Sequence, residues 1–110
     1  MSETMDEQRY LRLAGETFEK VLDAFEDVDG DDADVEPKGD VVAIRFRDGS
    51  RCVINTQRPV RQIWLAGKKR AWHFSWDEAS QRWLDDKGSG DELFAVLRGI
   101  AREQGVELPA

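Results

Sequence analysis

The apolar residues of this chain change their spacing twice, and that change limits the fold more than any other feature. Tyr10, Leu13, Ala14, Thr17, Val21, Ala24 and Val28 recur at steps of three or four, and Leu11, Phe18, Leu22 and Phe25 widen the stripe. This is the period of an amphipathic helix of five to six turns. From Ala33 to Leu84 the step falls to two, in short β-branched and aromatic runs, as half-buried strands require. Leu93, Phe94, Val96, Leu97, Ile100 and Ala101 then restore the helical step. The order is helix, sheet, helix.

Punctuation agrees with the periods. Thr4 to Glu7 fits a capping box, with Thr4 as N-cap, and Gly30 in an Asp-rich run ends the first helix. Strands are expected over 33–36, 41–47, 51–56, 62–66, 71–76 and 82–84. Pro37-Lys38-Gly39-Asp40 and Gly67-Lys68-Lys69-Arg70 turn the chain. Asp48-Gly49 reads as a two-residue type I′ hairpin loop. Ser89 to Glu92 reads as a second capping box, and Gly105 closes the last helix. Tight turns between short strands give an antiparallel sheet. The expected class is α+β: a two-layer α/β sandwich, with N- and C-terminal helices packed on one face of the sheet and water on the other. At 110 residues the chain is expected to be one domain, 1–110.

Strand alternation assigns the faces. Val42, Ile44, Phe46, Cys52, Ile54, Ile63, Leu65, Trp72, Phe74 and Trp76 take the helix side. The open face then carries Arg45, Arg47, Asn55, Gln57, Gln62, Trp64 and His73. A large aromatic among Arg, Asn and Gln on a wet face reads as a contact surface.

Charge is segregated along the chain. Residues 16–36 hold ten acids and one base, and residues 45–70 hold eight bases and one acid. The net charge of −7 argues against duplex DNA, which needs many phosphate contacts. The open face lacks the alternating aromatics of an RNA platform. No apolar run reaches the ~18–20 residues that cross a bilayer. The acidic start, Met1 to Glu7, has neither a basic nor an apolar leader region. A single cysteine, Cys52, excludes intrachain disulfides and thiolate cages. The expected compartment is a reducing cytoplasm.

The acidic stretch has its own chemistry. Glu16, Glu19, Asp23, Glu26 and Asp27 fall at helical steps opposite the apolar stripe. Asp29 and Asp31 lie in the turn, and Asp32, Asp34 and Glu36 alternate down the first strand. Like charges at i,i+4 cost a helix roughly 0.2–0.5 kcal/mol a pair, so a cation or a basic partner is expected to compensate. The donors are hard oxygens, which favour Ca²⁺, Mg²⁺, Mn²⁺ or iron over Zn²⁺ or Cu⁺. An EF-hand is excluded, because the glycine of Asp27-Val28-Asp29-Gly30-Asp31-Asp32 is misplaced and the twelfth position is Lys38. Nucleophilic chemistry is not expected: alternation puts Cys52 and His73 on opposite faces, and no phosphate loop or nucleophile elbow occurs. The chain does not read as an enzyme.

The segment Asn55-Thr56-Gln57-Arg58-Pro59-Val60-Arg61-Gln62-Ile63-Trp64-Leu65-Ala66 resembles the signature of the frataxin family, Asn-x-Gln-x-Pro-x-x-Gln-x-Trp-Leu-Ala, at every fixed position. Leu13-Ala14, Asp29-Gly30-Asp31, Asp48-Gly49-Ser50, His73-Phe74, Trp83 and the closing helix extend the likeness over the whole chain. It is closest to the bacterial branch, since the chain begins directly at the first helix. The resemblance implies the frataxin helix–sheet–helix sandwich and weak binding of ferrous and ferric iron on exposed carboxylates. It also implies a role in iron–sulfur cluster assembly, as regulator of the cysteine desulfurase and its scaffold protein and as iron donor. Asp23, Glu26, Asp27, Asp29 and Asp31 match the family's ridge, Asp32 and Asp34 lie beyond them, and Glu19 shares their helix face. Asn55, Gln57, Gln62 and Trp64 match its protein contacts, with Arg58, Arg61 and His73 beside them. Lys20 and Leu22 interrupt the ridge. The alternatives are a docking module whose cation binding is incidental and an iron store or ferroxidase built from many chains. The expected state is a monomer, which a store would abandon under iron load.

Overall fold

The structure, a computed structural model, describes residues 5–67 and 69–109. Helix α1 runs over Glu7–Ala24. Its N-cap is Asp6, whose carboxylate accepts the Arg9 N–H at 2.9 Å. Thr4, the expected cap, lies outside the described residues. The helix stops one turn before Val28. The Phe25, Glu26 and Val28 N–H groups bond only three residues back, to Leu22, Asp23 and Phe25. Physics explains the early stop. The last turn holds no base, and Asp23, Glu26, Asp27 and Asp29 crowd the negative end of the helix dipole.

Six antiparallel strands follow in sequence order as a meander: β1 (Ala33–Lys38), β2 (Val41–Phe46), β3 (Arg51–Gln57), β4 (Gln62–Gly67), β5 (Arg70–Asp77) and β6 (Arg82–Asp85). A single 3-10 turn, Arg58–Val60, joins β3 to β4. The β2–β3 connection corrects the two-residue turn expected at Asp48-Gly49. Only Gly49 has positive φ (+88°), whereas type I′ needs two such residues. Phe46 N–H bonds to Ser50 O and Gly49 N–H to Phe46 O, both at 2.9 Å. Arg47, Asp48 and Gly49 thus form a three-residue loop, and glycine takes its left-handed position. Arg47 is therefore a loop residue, not a strand residue.

Helix α2 spans Leu93–Glu103. Its cap is Glu92 itself, not Ser89: the carboxylate accepts Phe94 N–H at 2.9 Å and Ala95 N–H at 3.0 Å. At the far end Val106 N–H bonds to Ala101 O and Gly105 N–H to Arg102 O. This paired closure needs the left-handed Gly105 (φ +79°). It turns Val106 inward, where it is buried.

Both helices cover one face of the sheet. Val42, Ile44, Phe46, Cys52, Ile54, Ile63, Leu65, Trp72 and Phe74 are buried there against Tyr10, Ala14, Val21, Leu93, Leu97 and Ile100. The face assignment read from alternation holds for each of these strand residues. Trp83 meets Tyr10 and Trp76 edge-on, with ring centroids 6.2 and 5.3 Å away. The fold is thus α+β. Among the described residues, no helix is long and apolar enough to cross a membrane.

Candidate functional site

The acidic segment emerges as an exposed rim running from the second half of α1 to the edge strand β1. Glu19, Asp23, Glu26, Asp27, Asp29, Asp31 and Asp34 are exposed and Asp32 is half-buried. The turn is built by Asp29: its carboxylate accepts Asp31 N–H at 2.8 Å, and its carbonyl accepts Asp32 N–H at 2.9 Å and Ala33 N–H at 3.1 Å. Such an aspartate turn holds the chain while leaving Asp31 pointing out.

The rim has two unlike halves. At the strand end, Arg47 bonds the Asp32 carboxylate, and Arg45 lies 3.9 Å from Asp34, directly opposite it across β1–β2. At the helix end, Glu19, Asp23, Glu26, Asp27, Asp29 and Asp31 make no ion pair among the described residues. The acidic rim and the basic sheet face therefore meet at β1 rather than standing apart. Sequence reading missed this, because opposite partners are known only once the hairpin register is known. Among the described residues, no three His, Cys, Asp or Glu side chains converge into a metal cage. The rim can gather cations by its field and by one or two oxygens at a time, not enclose one.

The open sheet face centres on Trp64. Register places Asn55, Trp64 and His73 side by side on β3, β4 and β5. The Trp64 and His73 rings stack at 4.0 Å with 14° between planes. Trp64 Nε1 donates to Gln62 Oε1 at 2.8 Å. Gln62 Nε2 donates to Ser75 Oγ at 3.0 Å and to Asp86 Oδ2 at 2.9 Å. Gln57 pairs with Gln62 across the strands. Trp64, Gln62, His73, Asn55 and Gln57 are all half-buried, so the face is an ordered polar mosaic around one indole.

Arg58 and Arg61 stand apart from this mosaic. They belong to the 3-10 turn and its end and reach toward the start of α1. Arg58 pairs with Glu7, whose carboxyl is held below its usual range by that guanidinium. Arg61, in left-handed backbone (φ 52°), donates to the Met5 and Arg58 carbonyls. Its guanidinium also lies 6.0 Å from the Tyr10 ring. The Tyr10 hydroxyl, unnoticed in the sequence, donates to Gln62 O at 2.6 Å and accepts Gln57 N–H at 3.2 Å, fixing the same turn from below. Cys52 is fully buried on the helix side, and burial pushes its thiol up to about 12. No thiol–imidazole pair forms with His73 on the opposite face. A cleft of about 440 Å³ lined by Lys20, Asp23, Phe94 and Arg98 gathers none of these groups except Asp23.

A family model described as a frataxin-like domain matches residues 3–107. The chain is 42% identical over 103 residues to the iron-sulfur cluster assembly protein CyaY of Pseudomonas aeruginosa, covering 94% of each chain. It is 40% identical over 106 residues to the CyaY of Azotobacter vinelandii, covering 96% of this chain and 94% of the relative. Among solved structures, the frataxin of Psychromonas ingrahamii superposes with a TM-score of 0.83 at 28% identity, over 94% of this chain and 95% of that one. A trimeric frataxin of the yeast Saccharomyces cerevisiae, complexed with ferrous iron, superposes with a TM-score of 0.61 over 94% and 89% of the two chains. At 23% identity the yeast protein speaks to the fold alone.

Proposed function

The chain belongs to the frataxin family, and from that premise we propose that it serves iron–sulfur cluster assembly as an iron-binding adaptor of the cysteine desulfurase and its scaffold protein. The relatives at 42% and 40% identity carry the name of iron-sulfur cluster assembly proteins. The observation that carries the proposal is the unpaired half of the rim: six exposed carboxylates from Glu19 to Asp31 without an arginine among them. Iron is cargo here. Hard oxygens suit Fe²⁺ and Fe³⁺, and an exposed, cage-free arrangement suits a carrier that must release what it holds. The same carboxylates form a negative surface for a basic patch of the desulfurase. Asn55, Gln57, Trp64 and His73 offer the scaffold protein a separate, largely neutral contact. The protein acts on the machinery and performs no chemistry of its own.

Binding to purified cysteine desulfurase tests this. Reversing Glu26, Asp27 and Asp29 to Lys is expected to abolish the complex, and raised salt to weaken the wild-type one. Unchanged binding rejects rim docking.

That no three metal-ligating side chains converge among the described residues favours a second reading, in which the rim is a docking face and its cation binding is incidental. Neutral replacements, Glu26→Gln with Asp27→Asn and Asp29→Asn, separate the two. If iron binding is lost while cluster synthesis with the full complex keeps its rate, iron is incidental.

A further inference from the structure

Gln62 matches the family signature beside Trp64, and the resemblance implies that it touches the partner. The geometry points elsewhere, and we propose that Gln62 is a positioning residue: it acts through the Trp64 indole and does not itself meet the partner. This rests on the reading above that Trp64 is a contact.

Both donors and the acceptor of the amide already have partners within the chain. The primary amide of Gln62 has two N–H donors and one carbonyl oxygen. Nε2 faces two acceptors, Ser75 Oγ at 3.0 Å and Asp86 Oδ2 at 2.9 Å. Oε1 faces a donor, the indole N–H at 2.8 Å. Rotating the amide by 180° would set its oxygen against a carboxylate and its N–H groups against an N–H, so the orientation is fixed by its neighbours. Even the backbone carbonyl of Gln62 is engaged, by the Tyr10 hydroxyl at 2.6 Å. Asp86 is in turn tied to β5, since its N–H donates to His73 O at 2.8 Å. The His73 ring stacks on Trp64. The links Trp64–Gln62–Asp86–His73–Trp64 close a ring that spans β4, β5 and the segment after β6. The indole is thus held at its N–H by Gln62 and on one flat side by His73, and it enters an encounter with its rotamer already chosen. Preorganisation of this kind cuts the entropy lost on binding.

The test has two parts, made on the full-length protein. In the first, solvent exchange of the Trp64 indole N–H is followed by NMR without any partner. Gln62→Met is expected to speed it at least tenfold. Gln62→Glu, which sets a carboxylate against Asp86, is expected to do the same, and adding Asp86→Asn should restore protection by supplying a donor. An unchanged exchange rate in Gln62→Met overturns the positioning role whatever the partner does. In the second part, affinity for the desulfurase–scaffold complex is measured for Gln62→Met, Trp64→Phe and the double variant. Each single change is expected to weaken binding about three- to tenfold, and the double variant no more than the worse single. Additive losses would mean that Gln62 touches the partner, and no loss in Gln62→Met would mean that the indole needs no holding; either overturns the inference. Trp64→Ala serves as the control for the premise: wild-type affinity there rejects Trp64 as a contact, while the exchange experiment still decides the role of Gln62.

Discussion

The indole N–H of Trp83 donates to Thr17 Oγ at 2.8 Å, joining β6 to α1 inside the core. The same hydroxyl donates to the Leu13 carbonyl at 2.8 Å, so its one proton is committed and its oxygen is free to accept. Among the described residues, Thr17 is the one buried polar or charged side chain. Thr17→Val keeps the shape but strands the indole N–H away from water. Leaving a buried donor unpaired costs about 1–3 kcal/mol. Urea unfolding should show that loss with an unchanged slope, whereas Thr17→Ser should recover most of it.

Cys52 makes a pH prediction. Burial raises its thiol from 9.0 to about 12. The folded state then holds this proton more tightly than the unfolded state. Its contribution to stability is complete below pH 9 and is lost as pH rises from 9 toward 12, by at most about 1.4 kcal/mol per unit. The difference in stability between wild type and Cys52→Ala, followed from pH 7 to 11, should be flat and then turn downward for wild type. At neutral pH a thiol reagent should label the native protein only at its rate of opening.

Much of this molecule could be read before its coordinates. Val42, Ile44 and Phe46 lie on one side of β2 because a pleated strand has a period of two, and the buried set proved to be theirs. What escaped reading depends on through-space partners. Asp6 rather than Thr4 caps the described helix, and Glu92 rather than Ser89 caps α2, because any nearby acceptor can serve and pattern alone does not choose. Arg58 and Arg61 lie within the signature segment, beside the contacts the resemblance implies, but they turn toward α1, since the 3-10 turn and the left-handed backbone at Arg61 lead the chain away from the open face. Tyr10 looked like core and is also the polar pin of the β3–β4 turn. The pairing of Asp34 with Arg45 needed the β1–β2 register.

The α2 cap offers a stability test of its own. Glu92 satisfies two helix N–H groups with its two oxygens, and its charge suits the positive end of the helix dipole. Glu92→Ala should cost about 0.5–2 kcal/mol. Glu92→Asp, one methylene shorter, should cost less, since aspartate is among the best cap residues. Thermal unfolding at low and high salt separates the dipole share, which salt screens, from the hydrogen-bond share, which it does not.

The unequal halves of the acidic rim lead to the last prediction. A lanthanide or Fe²⁺ titration followed by NMR should broaden Asp23 to Asp31 first and spare Asn55, Trp64 and His73. Asp32 and Asp34 should respond later, because a cation there must displace Arg47 or Arg45. Exposed pairs of this kind are worth about 0–1 kcal/mol, so freeing the carboxylates with Arg45→Gln and Arg47→Gln should raise cation affinity at the strand end by about two- to fivefold and bring its signals level with those of the turn. Affinity at Asp23 to Asp29 should change less, since those carboxylates have no arginine to lose. Simultaneous broadening of both halves in the wild type would show that the arginines do not hold the strand carboxylates in solution, and broadening centred on His73 would move the cation site to the opposite end of the sheet.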